Sequence, residues 1–386
     1  MAVPLRYNVR NLLVRRVSTG MTIFGIALVV FTFVSMMALV RGLEGTLTET
    51  GAPENAVILR RGALAEAASS ITVEQFGILR CFPELATDGA GGTLASPELA
   101  VQLLLERKGG MKVNVLIRGV RPVAFRVHDR VRLASGRMPA PRAGQLLVGQ
   151  AAAAQFKGIA PGDRLRFGRR EWPVVGTFVA DGSAFESELW ADADDLMADL
   201  RRDYFNSVSL RLREPSLLGS FARRLEGDPR LTVDVRSEVD YYNEQAERTQ
   251  WMKILGLLVA GMMAVGAVFA AMNTMYAAIG MRTKEIGTLR ALGFSRRSIL
   301  ASFLAESVLI AIPGGLLGCL LALPFNGLRS STVNFSSFTE LLFEFRITPA
   351  ICLEGMLFAV VMGAIGGFLP ARRAATMPIL SALREL

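Results

Sequence analysis

Four long apolar stretches constrain this chain most, because each must find either a bilayer or an unusually large core. Residues 17–40 run 24 positions without a charged side chain, and residues 254–281 run 28. Two more stretches, 298–328 and 350–371, hold a single acid each, Glu306 and Glu354. About 20 apolar helical residues cross a bilayer core, so all four read as transmembrane helices. With both chain ends on one side, residues 41–253 and 329–349 must lie together on the other, the second as a short loop.

Charge gives the same orientation. Of 43 basic and 34 acidic residues, twelve basic and two acidic fall within 1–16, 282–297 and 372–386. The rest of the chain is nearly balanced, 31 against 32. The excess therefore borders the spans, as the positive-inside bias requires, and assigns those three segments to the cytoplasm. No basic patch remains for a nucleic acid.

Leu5, Val9, Leu12 and Leu13 sit at helical spacing among Arg6, Arg10, Arg15 and Arg16, so 1–16 is expected to lie as an interfacial helix. Residues 17–40 are too long for an ordinary cleaved leader and read as an uncleaved first span. The insert 41–253 has soluble composition and mixed patterning. Strands are expected at Asn55 to Arg60, Leu99 to Leu105, Lys112 to Gly119, Ser207 to Leu212 and Leu231 to Val235. Helices are expected at Thr72 to Arg80, where Thr72 and Gln75 have capping-box spacing, and at Leu217 to Leu225. Between them, 120–203 reads as a separate subdomain, with a hairpin from Arg164 to Phe167 and Glu171 to Val179 and a short helix near Asp192 to Leu200. The polar run 241–253 reads as a stalk leading into the second span. The fold class is thus an α-helical integral membrane protein with four transmembrane helices and an α+β extracytoplasmic domain inserted between spans 1 and 2.

The segment between the second and third spans, 282–297, reads RTKEIGTLRALGFSRR. Ile286, Leu289 and Leu292 recur every three residues and are expected on one side of a short helix. Gly293 would stop it and Ser295 would cap the next. Glu285 to Gly293, EIGTLRALG, resembles the coupling motif of MacB/FtsX-type ABC transporter permeases. The tail is similar to that family's closing pattern at Pro370, Arg373, Ala374, Ala375, Ala382, Leu383 and Arg384, with Pro378 one residue early. The layout also fits, with 41–119 and 204–240 as porter-like parts, 120–203 as sabre-like insert and 241–253 as stalk.

The resemblance implies a permease subunit that works as a homodimer with two copies of a cytoplasmic ABC ATPase. ATP and Mg would sit on that partner, and this chain would bind no cofactor. A periplasmic adaptor or other extracytoplasmic protein, and membrane lipid, complete the expected partners. Glu285, Arg290, Ile286, Leu289 and Leu292 would dock on the ATPase, with Gly287 and Gly293 shaping the turn. Two alternatives share the plan: a regulator of the FtsX kind that pulls on an extracytoplasmic enzyme, and a lipoprotein-releasing permease.

Glu306 lies where a charge needs a partner, and Arg290, Arg296 and Arg297 are the expected candidates. Pro313, Gly314 and Gly315 are expected to kink the third span. In the second span Gly256, Gly261 and Gly266 suit close helix packing. No phosphate-binding GxxxxGK[ST] loop occurs, so ATP binding by this chain has no support. The one histidine, His128, is expected on the surface, and Asp194–Asp195 on a solvated helix face. Neither supports catalysis, and the three cysteines form no metal-binding pattern.

Overall fold

The computed structural model describes residues 16–89, 91–248, 250–334 and 337–379. The interfacial helix expected at 1–16 and the tail matches Ala382, Leu383 and Arg384 lie outside them, except Arg16. The chain divides into two compact units: a membrane unit of 1–41, 251–328 and 345–386, and an outer unit of 42–250 and 329–344.

Among the described residues, four helices are long and apolar enough to cross a membrane: Arg16–Thr48, Gln250–Gly280, Arg296–Ala322 and Pro349–Thr376. Their contacts are made at glycines. A Cβ on Gly314 would lie 2.9 Å from the Ile26 side chain, and one on Gly318 only 2.7 Å from the Ala27 carbonyl oxygen, so the third span lies directly on the first. Gly355 of the fourth span faces Val34 of the first, Gly363 and Gly367 face Ser307 and its neighbours, and Gly366 faces Ala271 of the second. The third span runs as one helix through Pro313; Gly314 and Gly315 serve packing, the latter against Met356 and Ala359. In the second span Gly256 abuts Met36, whereas Gly261 and Gly266 have open space beside them. Thr348 caps the fourth span by accepting from Ile351 N, with Pro349 in the first turn.

Among its described residues the outer unit has fourteen strands. They are β1 Asn55–Arg60, β2 Ile71–Thr72, β3 Ala95–Glu106, β4 Lys112–Val120, β5 Arg132–Gly136, β6 Leu146–Gly149 and β7 Arg164–Phe167. They continue with β8 Arg170–Val179, β9 Leu189–Asp192, β10 Tyr204–Phe205, β11 Ser207–Arg211, β12 Val233–Ser237, β13 Arg329–Asn334 and β14 Thr339–Glu344. Ten form one sheet in the order β12-β1-β11-β3-β4-β9-β6-β8-β5, with β7 paired to β8. The segment 120–203 supplies β5 to β9 and joins the rest through one parallel ladder, Ile117 opposite Leu189 to Val120 opposite Asp192. Alternate residues of these strands, including Ile58, Leu99, Ile117, Val148, Trp172 and Val208, fill a continuous core, as period-two alternation demands. Thr72 and Gln75 make the capping box. Gly168 turns the β7–β8 hairpin at φ +61, and a Cβ there would strike the Asp199 carboxylate.

Three expectations are corrected. The segment 329–349 is not a plain loop: β13 and β14 pair from Arg329–Glu344 to Asn334–Thr339, and Leu342 enters the outer core. Its apolar residues Leu341, Leu342 and Phe343 are consecutive and show no period-two alternation, so no strand signal stood out. His128 is buried, held between Glu98 and Glu238. Asp195 is also buried, paired with Arg170 at 3.0 Å, and Asp194 pairs with Arg121 at 2.8 Å. Partners of opposite charge brought from distant parts of the chain, invisible locally, make burial of these groups tolerable.

Overpacking a helix contact costs about 1–3 kcal/mol. Gly318→Val should therefore lower the resistance of the purified protein to denaturation in detergent clearly, while Gly261→Val, with open space at its Cβ, leaves it unchanged.

Candidate coupling site

The second span ends at Gly280, and after a two-residue turn the helix Thr283–Ala291 begins. Its buried residues are Thr283, Ile286 and Gly287, with Arg290 half-buried. This i, i+3, i+4, i+7 spacing defines one helix face. Ile286, 2% exposed, packs with Met275 and Ile279 of the second span, Ile299 and Phe303 of the third, and Ala371, Ala374 and Ala375 of the fourth. Its burial contributes roughly 1.5–3 kcal/mol. The opposite face, with Lys284, Glu285, Thr288, Ala291 and Leu292, is exposed.

The expected stripe of Ile286, Leu289 and Leu292 therefore splits. Each step of three residues turns the helix about 300°, so Ile286 and Leu292 end about 120° apart. Ile286 is an anchor to its own membrane unit, Leu289 lies at the border, and Leu292 is 68% exposed. Only the last is free to meet another chain.

Helix termination follows the glycine. Gly293 has φ +96, its N–H reaches Arg290 O at 3.1 Å, and Phe294 N–H reaches Leu289 O at 3.1 Å. This is the paired closure of a Schellman motif. Ser295 then accepts from Ser298 N at 3.2 Å and opens the third span.

Arg282, at the start of the short helix, ties it to the membrane unit. Its Nη1 donates to Glu306 Oε2 at 3.1 Å, its Nε donates to Glu285 Oε2 at 3.0 Å, and its guanidinium lies 5.3 Å from the Phe303 ring centre. Arg282 and Glu306 are both buried. The expected partners of Glu306 are thus corrected: Arg290, Arg296 and Arg297 make no ion pair among the described residues. Arg296 and Arg297 begin the helix that carries Glu306, about 15 Å away along its axis at 1.5 Å per residue. Arg290 stands two turns along the short helix from the buried carboxylate's partner. Arg282 was legible as the first charge after the second span, but its match in depth to Glu306 needed the geometry. The Arg290 Nε is buried without a hydrogen-bond partner. Near the same end, Thr22 Oγ1 donates to Thr274 Oγ1 at 3.2 Å and Arg373 lies 5.7 Å from the Tyr276 ring centre.

Four spans, a large outer insert and a short helix fastened across three spans define a polytopic membrane protein built on the permease plan. Residues 19–227 match the MacB-like periplasmic core domain, and residues 257–379 match the FtsX-like permease C-terminal region. The chain belongs to the MacB/FtsX-type ABC transporter permeases. It is similar to the macrolide export ATP-binding/permease protein MacB of Bdellovibrio bacteriovorus, 28% identical over 243 residues, covering 58% of this chain and 36% of that protein. It is also similar to the uncharacterized ABC transporter permease YknZ of Bacillus subtilis, 34% identical over 131 residues, covering 34% of this chain and 31% of that protein. The chain thus spans about a third of the length of each of these relatives. The crystal structure of the periplasmic region of MacB from Actinobacillus actinomycetemcomitans aligns at 13% identity with a TM-score of 0.38, over 52% of this chain and 94% of that one.

Removing one partner of a buried ion pair costs about 3–5 kcal/mol because the other charge is stranded. Glu306→Leu should lower the midpoint of thermal unfolding in nanodiscs markedly, whereas Glu354→Leu at an exposed position should not; equal midpoints would refute the anchoring role of the pair.

Proposed function

We propose that this chain is the permease subunit of an ATP-driven transporter, converting ATP hydrolysis on a separate cytoplasmic ATPase into movement of its outer unit. The observation that carries the reading is the two-faced helix Thr283–Ala291. One face is locked to three spans by Ile286 and Arg282. The other offers Lys284, Glu285, Thr288 and Leu292. A push on that exposed face is delivered to the membrane helices, since the helix has no freedom to slide on them.

Two copies of the chain with two ATPases, in a bacterial inner membrane with both termini cytoplasmic, complete the proposed assembly. The spans carry few charges, and Glu306 is already committed to Arg282. A hydrophilic channel through one subunit is therefore disfavoured. The work is better suited to a hydrophobic or amphipathic substrate taken from the outer leaflet or from outside the membrane.

Affinity purification of the native complex tests this. An ATPase should co-purify with the unaltered chain and be lost with Leu292→Asp combined with Glu285→Lys. Leu292→Asp alone, at a side chain 68% exposed, should weaken the co-purification while leaving the thermal stability of the chain unchanged, which separates lost docking from loss of the Glu285–Arg282 pair. A chain that brings down no ATPase would overturn the proposal. Substrate-stimulated hydrolysis would favour transport, and stimulation only by an extracytoplasmic enzyme would favour the FtsX-like alternative.

A further inference from the structure

The outer unit buries a set of charges that the coupling reading leaves unused. Arg118 on β4 is 2% exposed and meets three carboxylates: Glu98 on β3 at 2.8 Å, Glu188 at 2.7 Å and Glu66 at 2.9 Å. Beside it, His128 lies with Nε2 2.8 Å from Glu98 Oε1 and Nδ1 3.5 Å from Glu238 Oε1. Its ring packs on Phe185 at 4.8 Å and Trp190 at 5.9 Å.

Glu238 is the first residue of the stalk helix, Glu238–Glu247. Its Oε2 accepts from Ala52 N at 3.0 Å and Asn55 Nδ2 at 2.9 Å, while Oε1 is buried with no hydrogen-bond partner. Close approach here is permitted by Gly51, where a Cβ would lie 2.7 Å from Val239 Cα. Both imidazole nitrogens therefore face carboxylate oxygens. A neutral ring carries one N–H and can satisfy only one of them; the imidazolium carries two. Without its charge, Arg118 alone would stand against Glu66, Glu98, Glu188 and Glu238.

We propose that His128 is a titratable clasp, whose charged form fastens the first turn of the stalk helix to the sheet through Glu238 and Glu98, and which loosens as the pH outside the cytoplasm rises. Its bearing on force transmission rests on the transporter reading; the clasp itself does not.

Burial draws the His128 pKa down, but the Glu98 charge, its hydrogen bond and the Glu238 charge outweigh this and set it above the ordinary 6.5. Burial pushes Glu98 up, yet His128 and Arg118 bring it down to about 2. Glu188 and Glu238 are raised, chiefly by burial. The other charged groups nearby are Asp129 and Arg130, which follow His128, and Arg211 on β11, which pairs with Asp129 at 2.9 Å. The raised histidine stabilises the fold fully below 6.5, and that contribution is lost as pH rises through its folded value. Glu188 and Glu238 act in the same direction, from 4.5 upward. Glu98 acts oppositely, contributing above 4.5 and failing as pH falls to about 2.

His128 is the only histidine in the chain, so the full-length protein labelled with 13C-histidine and purified without a histidine tag gives one imidazole signal. In nanodiscs that signal should remain that of imidazolium beyond pH 6.5. Hydrogen exchange, corrected for intrinsic rates, should show loss of protection of residues 238–247 as pH rises above 6.5 through the folded value of His128. In His128→Gln the protection should be lower and should lose the part of its pH dependence that lies above 6.5. In Glu238→Gln the ring should titrate lower and the first turn should loosen, a change that a merely packed ring would not show. A ring that titrates at or below 6.5, or a pH dependence above 6.5 as large in His128→Gln as in the unaltered chain, overturns the clasp. If His128→Gln does not fold, the titrations of the unaltered chain and Glu238→Gln decide. None of these readouts needs an ATPase, so they stand or fall apart from the transporter reading.

Discussion

Lipid tails are as apolar as leucine, so no solvent force drives one span against another, and the membrane unit depends on how closely its helix backbones can approach. Glycine supplies that approach at every helix pair described above. Gly314 and Gly318 bring the third span onto the first, and Gly363 and Gly367 bring the fourth onto the third. Dispersion across such contacts is individually small and collectively large. Where the glycine contacts end, Ile286 and the Arg282–Glu306 pair take over and hold the short helix in place. Rigidity in the bundle and rigidity of the coupling helix are therefore one property.

The outer unit solves a different problem. Water surrounds it, so burial of apolar area can build its core. It nevertheless buries Arg118, Glu98, Glu188, His128 and Glu238, with Glu66 half-buried beside them, where hydrophobic residues would cost less. Such a network fixes geometry: β3, β4, the segment before β9 and the stalk helix must meet in one register for every charge to be answered. The buried charges thus specify how the elements meet more than how strongly.

Much of this was legible in the sequence, for physical reasons. Span length, the basic flanks and the capping residues Thr72, Ser295 and Thr348 are local signals, and so are strands such as Asn55–Arg60 and Arg164–Phe167. The turn at Gly293 needed only the left-handed conformation that glycine permits. What failed was long-range. Glu306 finds Arg282 across 24 positions, His128 finds Glu98 across 30 and Glu238 from another element, and Arg170 finds Asp195 across 25. The stripe of Ile286, Leu289 and Leu292 misled because a three-residue period drifts around a helix of 3.6.

The outer unit is discontinuous in sequence. Its last strands, β13 and β14, lie between the third and fourth spans, and Leu342 belongs to the core that residues 56–233 otherwise build. Synthesis runs from the N-terminus, and domains fold as units in that order. Here the unit cannot close when its main body has emerged, because two further spans must be made and inserted before residues 339–344 arrive. Until then the seat for Leu342, and the Ser187 hydroxyl that accepts from its N–H at 3.0 Å, stand open. Completion of the outer fold therefore waits on residues that follow the third apolar helix in the chain, so the two units cannot be finished one after the other.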